Sequence, residues 1–148
     1  IERLSSKQAT EVAYRVGGRL PLRSTAVGLV LMAGADAAFQ EKILKEPAET
    51  EPGVAAMPEG QLRRTLSDVH RTGIAMIRRS APSLTVSVAA PVFDAQGTVV
   101  AALSIVVPDG TTPPNVLAPA VMATARAVSR NLGFRTALTG DVRTLSEG

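Results

Sequence analysis

The side chains able to do chemistry are few, and none falls into a catalytic spacing. His70 is the single histidine. It stands beside Arg71, with no acid or second histidine close in sequence, which suits a surface or boundary position better than a metal ligand or a base. Glu46, Glu49 and Glu51 lie in a Pro-rich stretch where carboxylates are solvated. Asp94, before Ala95-Gln96-Gly97, and Asp109, between Pro108 and Gly110, are turn formers. The absence of cysteine removes thiolate metal sites and disulfides. There is no Gly-rich phosphate loop after a strand and no G-x-S-x-G elbow. Nothing assembles a nucleophile, a base and an orienting group, so neither catalysis nor a cofactor is expected. Two features keep hydrogen-bonding capacity. One is a helix start at Ser24-Thr25-Ala26-Val27, which reads either as a plain N-cap or as free N–H groups able to hold a carboxylate or carbonyl oxygen. The other is the pair of hydroxyls of Ser87 and Ser104 inside runs of Val and Ala.

The serines belong to the longest β-rich stretch, Thr85 to Pro108, which contains its own turn at Asp94-Ala95-Gln96-Gly97 and reads as a β-hairpin. A turn closing symmetrically about Ala95 and Gln96 sets Phe93 opposite Thr98, Val88 opposite Leu103 and Ser87 opposite Ser104. Alternation then places Val86, Val88, Val92, Val99, Leu103 and Ile105 on one face. Thr85, Ser87, Ala89, Pro91, Val100, Ala102, Ser104 and Val106 fall on the other. The first is a core face. The second is smaller in volume, and suits either the floor of a cavity or the underside of a close-packed helix.

The remaining elements must position this hairpin. Gln8 to Val16 alternates as a half-buried strand with its apolar face on the even positions, and Gly17-Gly18-Arg19 turns the chain. Ser24 or Thr25 caps a helix through Ala33 that is apolar all round, and hence buried. Phe39 to Lys45 allows a further short helix, and Glu46 to Gly60 is a surface loop. Pro58 at a first helical position opens a helix with Leu62, Leu66 and Val69 on one face, stopped by Gly73. Ile74 to Arg79 is a strand, with Ile74 and Met76 on one face and Ala75 and Ile77 on the other. Thr111 or Thr112 caps the last helix, whose stripe is Leu117, Val121, Val128 and Leu132. Pro119 predicts a kink or a delayed start, and Gly133 suits the C′ position. Residues 135–148 read as a loose tail.

The chain has 148 residues and a net charge of +3, which bounds one domain with a proper core and no strong pull towards nucleic acid. No apolar run reaches the ~20 residues of a membrane span. The order of elements predicts an α+β layer architecture: a mostly antiparallel sheet with helices packed on it. Ile1-Glu2-Arg3-Leu4 reads as the end of a strand, and hence of a longer protein.

Several stretches carry a family resemblance. They are Gly18-Arg19-Leu20-Pro21-Leu22 followed by Ser24-Thr25-Ala26-x-Gly28, then Gly73-Ile74-Ala75 after an Arg-bearing helix. Val88-Ala89-Ala90-Pro91-Val92-Phe93-Asp94 follows, with Gly97, Val99 to Ser104, and the close Val128-Ser129-Arg130-Asn131-Leu132-Gly133. In order and spacing, residues 1–134 resemble the effector-binding domain of IclR-type transcriptional regulators. The resemblance implies a GAF-like fold with helices on both faces of the sheet. It also implies a small-molecule effector, a homodimer or homotetramer, and a cytoplasmic protein that meets DNA through a helix-turn-helix domain outside this chain.

For the ligand, the resemblance points to Thr25, Ala26 and Val27 on the helix, Ile77 on the strand after the glycine turn, and Ser87, Ser104 and Val106 on the hairpin. Polar positions of the family pattern have become apolar here at Ile77 and Val106. That implies an apolar or aromatic ligand, anchored by Ser87, Ser104 and the helix amides. The competing readings are a GAF-like sensor or dimerisation module of another signalling protein, an enzyme on the same fold, and a domain whose pocket has filled.

Overall fold

Seven elements follow one another among the described residues: α1 (Ala26–Gly34), α2 (Ala37–Lys45), α3 (Glu59–Thr72), β1 (Ala75–Arg79), β2 (Thr85–Phe93), β3 (Val99–Pro108) and α4 (Pro114–Asn131). They come from a computed structural model that describes residues 4, 14, 16–47, 49, 53–80 and 84–135. The strands pair antiparallel in the order β1-β2-β3, with α1 on one face of the sheet and α4 on the other. This is the α+β layering expected from the order of elements, with helices on both faces of the sheet as the family resemblance implies.

Alternation along β2 builds both layers. Val86, Val88, Ala90 and Val92 pack against Leu117, Val121 and Ala125 of α4. Ala75, Ala89 and the half-buried Ile77 and Ala102 pack under Leu29, Val30 and Ala33 of α1, joined by Leu62, Leu66 and Val69 of α3. Each fully buried Val or Leu contributes about 1.5–3 kcal/mol, so the two layers supply the main driving force. The alanines beneath α1 let the helix lie close to the sheet. At its end, a Cβ on Gly34 would stand 2.4 Å from Val99 Cγ2.

The hairpin turn differs from the symmetric one, and the register changes with it. Asp94 N–H donates to Thr98 O at 3.0 Å, while Asp94 Oδ1 accepts from the N–H groups of Gln96 and Thr98 at 2.9 Å each. Gly97 takes φ 81°, the left-handed conformation that closes a longer loop at Ala95-Gln96-Gly97. A second irregularity at Val92/Phe93 leaves Val100 without a partner residue, so Phe93 faces Val99 and not Thr98. Each irregularity adds one residue. Ser87 therefore faces Val106, Ser104 faces Ala89 and Val88 faces Ile105, in place of the expected Ser87–Ser104 and Val88–Leu103 pairs. Because side chains alternate with period two, a two-residue displacement leaves each on its expected face. Val99, beyond the irregularity, lies against Gly34 and not on the α4 side.

The helix ends show similar adjustments. Thr25 and Asp36 cap α1 and α2 through their side chains, and Gly73 ends α3 at φ 70°. Pro58 stands at the N-cap of α3 and not at its first helical position, and Pro113, not Thr111 or Thr112, occupies the N-cap of α4. The last helix starts at once and runs through Pro119. Its buried stripe is Leu117, Val121, Ala125 and Ser129, whereas Val128 and Leu132 are 37% and 49% exposed. A strict four-residue step past Val121 holds the seam on the sheet and turns Val128 outward. Gly133 follows at φ 91°, as expected of C′. The strand read over 8–16 lies outside the described residues except at Tyr14 and Val16, and the tail 136–148 lies outside them entirely. No helix among the described residues is long and apolar enough to cross a membrane.

Candidate functional site

The α1 N-terminus is held by a folded-back loop. Thr25 Oγ1 donates to Pro21 O at 2.8 Å and accepts from Gly28 N–H at 3.1 Å, and Leu29 N–H donates to Thr25 O at 2.9 Å. Gly28 is required here because a Cβ would meet the Leu22 backbone at 2.3 Å. The Thr25 hydroxyl thus serves the cap, with both its hydrogen-bonding roles filled. Of the four N–H groups a helix start leaves open, those of Ala26 and Val27 have no partner among the described residues.

The sheet brings the other expected residues together on the α1 side. Ile77, Ser87 and Val106 form one rung across the three strands, and Ala75, Ala89 and Ser104 form the next rung on that face. Ser87 and Ser104 are therefore diagonal neighbours, not partners. Ile77, Ser87, Val106 and Val27 are all half-buried, in contrast with the fully buried Ala75 and Ala89 beside them, and Ser104 is exposed.

α1 lies over the buried part of this gradient. Its nine residues span ~13 Å, and its C-terminal Gly34 sits on Val99. From Val99 to Val106 the strand runs ~24 Å. Ala75 and Ala89 are buried in the core beneath α1, and Ala102 and Ile77, the latter in the Ser87 rung, pack against it half-buried. The small face is helix-packed at Ala75 and Ala89 and less deeply buried at the Ile77–Ser87–Val106 rung.

One rung further out, Arg79 pairs with Thr85 and Thr85 with Pro108. Arg79 Nη2 donates to Tyr14 Oη at 2.6 Å, with Cζ 5.3 Å from the ring centroid. Thr85 is only 6% exposed. The residue-by-residue reading passed over this rung because an isolated Arg at a strand end has no local signal; only the register sets it beside Ser87.

An open cleft of about 570 Å³ lies at the opposite end of α1, lined by residues that include Leu31, Gly34, Phe39 and Val99. None of the expected site residues lines it. Its carboxylate, Asp36, already caps α2 through Phe39 N–H at 2.7 Å. His70 contributes no chemistry here: its Nδ1 lies 3.0 Å from Ala33 O, tying α3 to the last turn of α1. No group of three potential metal ligands exists among the described residues. The shifted titrations lie elsewhere, where Arg63 holds the Glu41 carboxyl below its ordinary value through a hydrogen bond.

The sequence matches the family model described as bacterial transcriptional regulator IclR C-terminal over residues 1–130. Among solved structures, an IclR homolog of Microbacterium hydrocarbonoxydans complexed with 4-hydroxybenzoate is similar at 31% identity and a TM-score of 0.78. The match covers 88% of this chain and 54% of that one. The C-terminal domain of the E. coli regulator KdgR matches at 31% identity and a TM-score of 0.63, over 77% of this chain and 72% of that one. The Thermotoga maritima IclR shares the fold at 24% identity and a TM-score of 0.77, over 90% and 56%. The chain spans about half the length of the first of these structures. No curated protein matches it.

Proposed function

The chain belongs to the C-terminal domain family of bacterial IclR transcriptional regulators, and from that premise we propose that it is an effector-sensing module for a small aromatic acid. The observation that carries this reading is the half-buried rung Ile77–Ser87–Val106, where one hydroxyl is flanked by two aliphatic side chains on the α1 side of the sheet. Such a floor suits a flat apolar ring with few polar substituents, which matches the general make-up of small-molecule sites. The N–H groups of Ala26 and Val27, which have no partner among the described residues, lie at the positive end of α1 and add acceptor-binding capacity. Ser104 stands at the rim, and Thr25 shapes the site through its cap. The ligand of the Microbacterium homolog, 4-hydroxybenzoate, is of this class.

In the whole regulator, the ligand prefers one quaternary state of a homodimer or homotetramer. A DNA-binding domain outside this chain responds to the change in spacing. The protein works in the cytoplasm.

Isothermal titration and thermal shift with two panels test the reading. Benzoate and its hydroxylated forms are expected to bind and to raise Tm. Stabilisation by glyoxylate or pyruvate alone, or by nothing in either panel, overturns it. Light scattering with and without 4-hydroxybenzoate tests the quaternary step: a ligand-dependent change in mass is expected, and an unchanged mass refutes it.

A further inference from the structure

The elements on the α1 side converge at one end of the sheet. His70 Nδ1 against Ala33 O sets the last turns of α3 and α1 side by side, and their apolar faces share one core, so the two helix starts stand at the same end. Gly73 turns the chain from α3 into β1, which brings the far end of β1 back to that end too. Residues 53–58 bridge the gap. Ser80, directly after β1, donates twice to Gly53 O, from its N–H at 2.9 Å and from Oγ at 3.0 Å. Four residues on, Met57 Sδ accepts from Thr65 Oγ1 of α3 at 3.8 Å. The segment is a strap fastened to the sheet at one point and to α3 at another. Met57 is its inward side chain: it is half-buried against the same core as the half-buried Val27 and Ile77, while Ala55 and Ala56 are exposed.

From this arrangement we infer that Met57 is a specificity-determining residue of the effector site, the wall that meets the edge of the ligand's ring and limits its width. The inference rests on the effector-binding reading above and adds to it the ring size that the site accepts. Val27, Ile77 and Val106 sit on a helix and strands whose positions the core fixes, so they give the site a constant floor and back. Met57 stands on a strap with two fastenings. Its unbranched thioether side chain follows the outline of what it touches, and its sulfur makes favourable contacts at an aromatic ring edge. The ligand class is a single-ring aromatic acid, with fused two-ring acids excluded by the volume of Met57.

Two probes of different width test this: 4-hydroxybenzoate and 6-hydroxy-2-naphthoate, titrated into the chain and its variants by calorimetry. The unmodified chain is expected to prefer the single ring by about tenfold or more, the cost of forcing a second ring against a filled wall. Met57→Ala should move the ratio of the two affinities towards the naphthoate by a similar factor. Met57→Val, a milder truncation, should move it part of the way, and Met57→Leu, which keeps the volume, should hold the original ratio. The ratio is the readout because truncating a half-buried side chain lowers Tm whatever its role, whereas lost packing alone weakens both ligands alike. If Met57→Ala and Met57→Val bind 4-hydroxybenzoate at the original ratio, the assignment of the wall is wrong while the effector reading stands. If neither probe binds the unmodified chain, the effector reading itself fails and this inference with it.

Discussion

Ser129 shows how a single hydroxyl decides where a strand leaves its ladder. It is fully buried, donates to Ala125 O at 2.8 Å and accepts from Phe93 N–H at 2.9 Å. Phe93 is the residue at which the β2–β3 register breaks, so the hydroxyl replaces a sheet bond that the irregularity removes. Ser129→Ala should cost about 1–3 kcal/mol in a urea titration, the usual penalty for a stranded buried donor. A cost near zero would mean that Phe93 N–H finds another partner. Two glycines make an opposed pair at the same scale. Gly28→Ala would drive a Cβ to 2.3 Å from Leu22 O, a backbone atom that no rotamer change can move away. It should cost at least ~1–3 kcal/mol. Gly60, inside α3 with open space around its would-be Cβ, should tolerate Ala with a gain of up to ~1 kcal/mol.

At the scale of elements, α1 is the part on which the site depends. Its N-cap fixes where the Ala26 and Val27 N–H groups point, and its apolar residues pack over Ala75 and Ala89 beside the Ser87 rung. Thr25→Val removes the bonds to both Pro21 O and Gly28 N–H. It should lower stability by about 0.5–2 kcal/mol and weaken 4-hydroxybenzoate as well, measured by melting and titration on the same samples. Stability loss with unchanged affinity would separate the cap from the site. The link between α2 and α3 is of another kind. Arg63 bridges Glu41 and Glu59 at the exposed surface, and Glu41 has its carboxyl lowered by that contact. A lowered folded value means the contribution is complete above the ordinary carboxylate range and fades as pH falls through the lowered value. Glu41→Gln should therefore remove a small, salt-sensitive increment of stability at pH 7 and none once the carboxylate of the unmodified chain is protonated.

For the molecule as a whole, binding to the native state alone must appear as stability. At a ligand concentration of 100 Kd the gain is about 2.7 kcal/mol, which for a domain of this size raises Tm by on the order of 10 °C. A shift of that size with 4-hydroxybenzoate, lost in Ser87→Val with the unliganded Tm unchanged, would place the ligand on the Ile77–Ser87–Val106 rung. A shift retained in Ser87→Val would move it elsewhere. The cleft beside Phe39 and Val99 is an alternative location, and Val99→Lys would block it without touching that rung.

Local pattern alone determined the hairpin strands and, up to Val99, their two faces, a cap at Ser24 or Thr25, the stop at Gly73 and the stripe of α3, because these follow from periodicity and from the chemistry of single residues. The motifs from Gly18 to Gly133 carried the family. Tertiary structure alone decided the rest. The Asp94 carboxylate and the left-handed Gly97 chose a longer turn than symmetry suggested, and with the break at Phe93 this moved Ser104 away from Ser87. A two-residue slip preserves faces but changes neighbours, so the side of the sheet was legible and the pairing was not. The stripe of α4 passed through Ala125 and Ser129 because packing on the sheet outweighed hydrophobicity at Val128. The partnership of Arg79 with Thr85 exists only across strands, where residues with no pattern of their own become adjacent.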